Sequence, residues 1–130
     1  MITIRNPQDR PVSEAFHQGM EVSGTVRTLY IAGQIGLRPD GTVPEGIEAQ
    51  ARVAYANMKA VLDEAGMSFA DVVKTTVFLI NPADRAAFAA VRADVMGGAK
   101  SASTLVYVSG LVLPELLVEV EAIAVKAATA

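Results

Sequence analysis

The sequence predicts an α+β fold, with two helices packed on one face of a mixed β-sheet. Three observations carry this expectation. Four runs rich in β-branched residues, Thr28–Ile35, Val72–Ile80, Thr104–Val108 and Leu117–Val125, read as strands. Two segments repeat apolar residues at spacings of three and four, one from Pro44 to Ala65 and one after Asn81. In chain order these give strands, helix, strand, helix, strands.

The opening residues, with Pro7 and Pro11, read as irregular, and His17–Ser23 reads as a short strand before a turn at Gly24. In the next strand, TLYIAGQI, Gly33 and Gln34 mark a bulge or a place where something approaches the backbone closely. Arg38–Gly41, RPDG, is a turn because proline presets φ and glycine permits the reversal. The first helix, Pro44–Ala65, carries Ile47, Ala51, Ala54, Met58, Val61, Leu62 and Ala65 on one stripe, and Gly66 stops it. Ser68 and Asp71 have the spacing of a capping box and open a short turn. The β-branched run VVKTTVFLI, Val72–Ile80, follows as a strand. Asn81 as a cap, Pro82 at the first position and Asp84 in the first turn begin the second helix. Ala87, Phe88, Val91 and Val95 form its apolar face, and Gly97 with Gly98 ends it. The last two strands, Thr104–Val108 and Leu117–Val125, flank a loop containing Gly110 and Pro114.

A chain of 130 residues suits a single domain over 1–130 and can bury well over half of the surface exposed when it is unfolded. Lacking cysteine, it offers no thiolate nucleophile, no structural zinc of the usual kind and no thiol redox switch. Eleven Lys and Arg against fourteen Asp and Glu give a net charge of −3 with the signs interleaved, so nucleic acid is a poor partner. The opening MITIRNPQDRPVSE is too polar for a signal peptide, and no run reaches the length of about eighteen apolar residues that a membrane helix needs. A cytoplasmic protein without membrane contact is expected. With 52% hydrophobic residues the chain is slightly apolar for its size, which fits either an Ala- and Val-rich core or a face buried against another copy. Helices on one sheet face leave the other uncovered, and Val106, Val108, Leu117 and Ile123 cannot all face the helices. A closed ring of identical subunits is the simplest cover.

Familiar catalytic motifs are missing: there is no phosphate-binding loop, dinucleotide glycine fingerprint, nucleophile elbow or HExxH. The lone His17 cannot build a multi-histidine metal site, and reads first as an imidazole with a structural hydrogen bond. The segment LLVEVEAIAV, Leu116–Val125, is more informative, because Glu119 and Glu121 interrupt an otherwise apolar run two residues apart and so share one strand face. Two explanations stand. Either this is an edge strand with one face in water, where acidic residues discourage pairing, or a carboxylate faces a cleft and holds or activates a water. Ala99–Thr104, AKSAST, follows the double glycine, and its hydroxyls either grip a small polar ligand or belong to an ordinary loop.

Four blocks in order, YIAGQIGLRPDG (Tyr30–Gly41), AVLDEAG (Ala60–Gly66), DVVKTTVFL (Asp71–Leu79) and VEVEAIAV (Val118–Val125), together resemble the Rid family of reactive-intermediate deaminases, formerly the YjgF family. The resemblance implies a chorismate-mutase-like subunit in a homotrimer, with small-molecule clefts between subunits. It implies hydrolysis of 2-imino or 2-enamino acids to 2-oxo acids and ammonia without metal or organic cofactor. In that scheme an arginine forks the substrate carboxylate and a glutamate of the final strand positions the attacking water.

Carried over by position, the glutamate is Glu119, with Glu121 as the second acidic residue. Gly33 matches the glycine of the family's GQI segment, with Gln34 beside it, and Phe16 stands where a pocket tyrosine is usual. Counting back from VEVEAIAV puts Thr104 at the arginine position, and a pocket asparagine is replaced by Ala89. A hydroxyl cannot replace a charged, bidentate guanidinium, and the loss weakens carboxylate binding by about 1.5–3 kcal/mol. The pattern is similar to arginine-lacking Rid subgroups. Lys100, Arg92 or His17 are the candidate substitutes for the charge, and Ser103 with Thr104 would bind a polar substituent or carboxylate oxygen. The expected activity is therefore imine or enamine deamination with altered substrate choice. The alternative is a non-catalytic trimer that binds carboxylic or 2-oxo acids. A ribonuclease, a label attached to some family members, is opposed by the acidic balance and the lack of a basic, aromatic-rich surface.

Overall fold

The computed structural model describes residues 1–128, so the last two positions of the expected 1–130 domain lie outside the described residues. Within them the chain runs β1 (Ile2–Ile4), β2 (Met20–Val22), β3 (Val26–Ile35), α1 (Ile47–Glu64), β4 (Val72–Leu79), α2 (Arg85–Met96), β5 (Ala102–Tyr107) and β6 (Val118–Ala127). The main sheet has the order β3-β6-β4-β5, and β1 pairs with β2 in a separate ribbon. β6 is antiparallel to both β3 and β4, whereas β4 and β5 are parallel. This is the expected mixed sheet. Each parallel relation is bridged by a helix, α1 between β3 and β4 and α2 between β4 and β5, as parallel strands require.

Both helices bury their apolar stripes on the same sheet face. Ala51, Ala54, Met58 and Leu62 of α1 and Phe88 and Val91 of α2 meet Val77, Leu79, Val118, Val120, Ala122 and Ala124, all of them buried. Tyr55 joins this core, stacked on Phe88 with ring centroids 6.0 Å apart and edge-on to Phe69 at 6.2 Å. Burial pushes the Tyr55 phenol above its usual pKa, so the ring stays neutral in the interior. α1 ends as expected at Gly66, which takes a φ of 67°. There the Met67 N–H donates to the Leu62 carbonyl at 2.9 Å and the Gly66 N–H to that of Asp63 at 3.0 Å, closing the last turn.

Several boundaries differ from expectation for physical reasons. α1 begins at Ile47 rather than Pro44, because Gly46 has a φ of 89°, outside the helical range, and acts as its cap. Asn81 caps as expected, its Oδ1 accepting from the Ala83 N–H at 3.0 Å, but the first turn, Pro82–Asp84, winds as a 3-10 helix before α2. The opening is not irregular throughout: Ile2 pairs with Val22 and Ile4 with Met20. The expected strand His17–Ser23 contracts to Met20–Val22, since His17 forms an isolated bridge to Ala102 and its N–H donates to the Ser101 carbonyl at 3.0 Å.

Two polar residues of α1 pin the ends of β3 and β6. Gln50 is 2% exposed, and its Nε2 donates to the carbonyls of Pro44 at 3.1 Å and Glu115 at 2.9 Å. Its Oε1 accepts from the Leu117 N–H at 2.8 Å, one residue before β6 begins. Asn57 Nδ2 donates to the carbonyls of Ile35 at 3.0 Å and Leu37 at 2.9 Å, just where β3 ends. Gln50→Leu keeps the approximate volume but strands the Leu117 N–H and two carbonyls. Urea unfolding is expected to show a loss of about 1–3 kcal/mol; an unchanged midpoint would show that this side chain does not hold the strand.

Candidate functional site

The register of β6 decides where the acidic side chains point. Val118, Val120, Ala122 and Ala124 are buried on the helix side, while Glu119, Glu121 and Ile123 alternate with them on the opposite, uncovered face. Glu119 lies opposite Ile35 of β3 and Phe78 of β4, and Glu121 lies opposite Thr76. β6 is therefore hydrogen-bonded on both sides. That removes the edge-strand explanation for the two carboxylates.

The bulge suggested by Gly33 and Gln34 is present between Ile31 and Gln34. It turns the Gly33 backbone toward Glu119. A Cβ at Gly33 would fall 2.6 Å from Cδ and 2.9 Å from Cγ of Glu119 and would clash with Oε2. The absence of a side chain here gives the Glu119 carboxylate its seat. Gln34 serves the bulge itself, its Nε2 donating to the Ala32 carbonyl at 2.9 Å.

A second group of residues gathers on the helix side, along the outer edge of β5. A hollow of about 450 Å³ is lined by Phe16, Arg85, Ala89, Arg92, Ser103 and Tyr107, among others. Ser103 is anchored there by Thr75, whose Oγ1 donates to the Ser103 Oγ at 2.9 Å and lies 3.3 Å from the Ser101 Oγ. In this arrangement the Ser103 hydroxyl proton is not used by Thr75. Arg92 sits 5.8 Å above the Phe88 ring, within the range of a cation–π contact. Lys100 does not enter this hollow; it lines an adjoining one of about 470 Å³, and Arg92, Ala89 and Ala15 border both.

The expected site residues therefore divide. Ser103 and Thr104 face opposite sides of the sheet, as successive residues of a strand do. Thr104 lies on the uncovered face, where its Oγ1 accepts from the Lys74 Nζ at 2.7 Å, while Ser103 faces Phe16 and Ala89. His17 lines neither hollow: its Nδ1 is 3.1 Å from the Asn6 Nδ2, the structural hydrogen bond its isolation suggested. Arg85 and Tyr107 were missed. Arg85 was legible through the helical spacing of Arg85, Ala89 and Arg92; Tyr107 was legible as the same-face neighbour, four residues on, of Ser103. Among the described residues no three His, Asp or Glu side chains come together as metal ligands. No helix is long and apolar enough to cross a membrane.

Within one chain, then, Glu119 over Gly33 and the hollow around Ser103 lie on opposite sides of the same sheet. No single ligand reaches both in one subunit.

Comparison with known proteins agrees with the architecture. The profile of the Endoribonuclease L-PSP family matches residues 8–126. A RutC family protein of Pyrococcus horikoshii is 43% identical over 100 residues, covering 75% of this chain and 79% of that protein. The 2-iminobutanoate/2-iminopropanoate deaminase of Mus musculus is 37% identical over 102 residues, covering 77% of this chain and 75% of that protein. Among solved structures, a Rid-family protein of unknown function from Yersinia pestis superposes with a TM-score of 0.85 at 36% identity, over 95% of this chain and 97% of that one. Escherichia coli TdcF with bound serine superposes with a TM-score of 0.70 at 30% identity, over 96% of this chain and 99% of that one.

The seat at Gly33 is testable on its own. Gly33→Ala is expected to rotate the Glu119 side chain to another rotamer at a cost of about 0.5–1.5 kcal/mol. A crystal structure of the variant with the carboxylate unmoved would contradict the contact.

Proposed function

The chain belongs to the Endoribonuclease L-PSP family, which the relatives above also represent under the names RutC and Rid, and from that premise we propose that it is a hydrolytic deaminase of imine or enamine acids. Its working form would be a homotrimer in which the Glu119 face of one subunit meets the Ser103 hollow of the next. The observation that carries the reading is the Glu119 carboxylate, seated over Gly33 on a sheet face that one chain leaves uncovered. A relative named as a 2-imino acid deaminase, similar over most of this chain, supplies the reaction class.

In this mechanism the imine carbon lies between the two half-sites. Glu119 accepts a proton from a water as the water oxygen bonds to the C=N carbon and the π electrons move to nitrogen. The nitrogen of the resulting carbinolamine is protonated, its C–N bond breaks, and ammonia leaves as the oxygen forms the C=O of a 2-oxo acid. One water is consumed for each ammonia released. Ser103, whose hydroxyl proton is not used by Thr75, donates to a substrate oxygen. We assign this role to Ser103 and leave Thr104 to its contact with Lys74. The chain thus stands with the arginine-lacking members of its family. Its substrate choice is altered accordingly.

A second reading is a trimer that binds small carboxylic or 2-oxo acids without turnover. The neutral Ser103 and Ala89 in the hollow favour it. The two are separated by ammonia release from imines generated in solution. The deaminase reading expects turnover above buffer and a loss of about 10²–10⁴-fold in Glu119→Gln. Turnover that survives unchanged in that variant, or none above buffer in the wild type, would sink it. Light scattering should give three times the 13.6 kDa chain, and a monomer would leave the half-sites apart.

A further inference from the structure

Resting on that reading, and deepening it, is the charge of the hollow. Arg85 and Arg92 both line it, and no acidic residue does. They are seven residues apart on α2, two turns or about 10.5 Å along the axis, so they project from one helix face. Ala89 lies between them and, with no bulk beyond Cβ, leaves the space open. Among the described residues neither arginine forms an ion pair: Asp94 is taken by Arg52 at 2.8 Å, and Glu14 borders only the adjoining hollow. Arg92 is half-buried and steadied over Phe88, while Arg85 is exposed at the mouth. Beside the two charges and the Ser103 hydroxyl, Phe16, Phe88 and Leu105 give the lining its apolar part.

Two unpaired guanidinium groups in a partly apolar lining match a ligand with an anionic group at each end and a carbon skeleton between. We infer that the hollow selects dicarboxylic imine or enamine acids, Arg92 holding the inner carboxylate and Arg85 the outer. Arg92 takes over the charge that the missing family arginine would supply, from a helix rather than from β5. The planar, permanently charged fork of each suits a carboxylate in a way that an ammonium does not. Monocarboxylic imines would use Arg92 alone and leave Arg85 without a partner.

Stable 2-oxo acids serve as probes by calorimetry, 2-oxoglutarate for the dicarboxylate and 2-oxobutanoate for the monocarboxylate. The dicarboxylate is expected to bind at least about tenfold more tightly, the worth of one charged hydrogen-bonded contact. Arg85→Gln, with its fold checked by circular dichroism, should bring the ratio of the two affinities to within about twofold, since one charged contact is removed. Arg92→Gln should weaken both ligands, with Arg92→Lys recovering part of the loss. Wild-type affinities that do not favour the dicarboxylate, or a preference that persists in folded Arg85→Gln, overturn the inference. Dicarboxylate preference that depends on Arg85, found without any ammonia release, upholds this inference while removing the deaminase reading. Ammonia released equally fast from mono- and dicarboxylic imines, with no effect of Arg85→Gln, does the reverse.

Discussion

The two-residue repeat of β6, locked by neighbours on both sides, is the constraint from which the rest of the structure follows. Because β3 and β4 both pair with it, the strand cannot slip by one residue without turning Val118, Val120, Ala122 and Ala124 out of the core. The burial of four apolar side chains therefore fixes the direction of the two carboxylates between them. Gln50 adds to this from the helix layer, since it holds the backbone at Leu117 before the strand starts. A side chain on α1 thus contributes to aiming Glu119 without touching it.

The same alternation separates Glu119 from the Ser103 hollow within one subunit. β5 follows β4 in parallel register, so Thr75 lies opposite Ser103 and Thr76 opposite Thr104. The odd-numbered residues join the helix side, where Phe16 and α2 wall a hollow, and the even-numbered ones join the open face with Phe78 and Glu119. That face combines charge with apolar surface: Val106, Phe78 and Ile35 share the row of Glu119, and Tyr30, 77% exposed, lies opposite Ile123. Such a surface suits contact with another protein better than contact with water alone.

Much of this was legible in the sequence, and the misses have definable causes. Helix stripes, the Asn81 cap, the Gly66 stop and the pairing of Glu119 with Glu121 on one face all follow from local periodicity, which the chain states plainly. β1 was missed because three residues give too short a pattern, and its order comes from pairing with β2, sixteen residues after it ends. The start of α1 was misplaced because the backbone of Gly46, not its side chain, sets the boundary. Thr104 was placed by counting along the chain, whereas strand parity distinguishes it from Ser103. Gln50 carried no signal at all: in sequence it is a polar residue on a helix, and only the tertiary fold brings Pro44, Glu115 and Leu117 around it.

The placement of Glu119 and the Ser103 hollow on opposite sides of one sheet also gives the proposed ring a genetic consequence. In the proposed head-to-tail ring every centre would draw on two copies of the chain, so lesions at Glu119 and in the hollow would not all fall on the same centre. Two alleles, each dead alone, one spoiled at Glu119 and the other in the hollow, would on co-expression form mixed rings in which some junctions join two intact surfaces. Interallelic complementation would thus follow from the proposed ring.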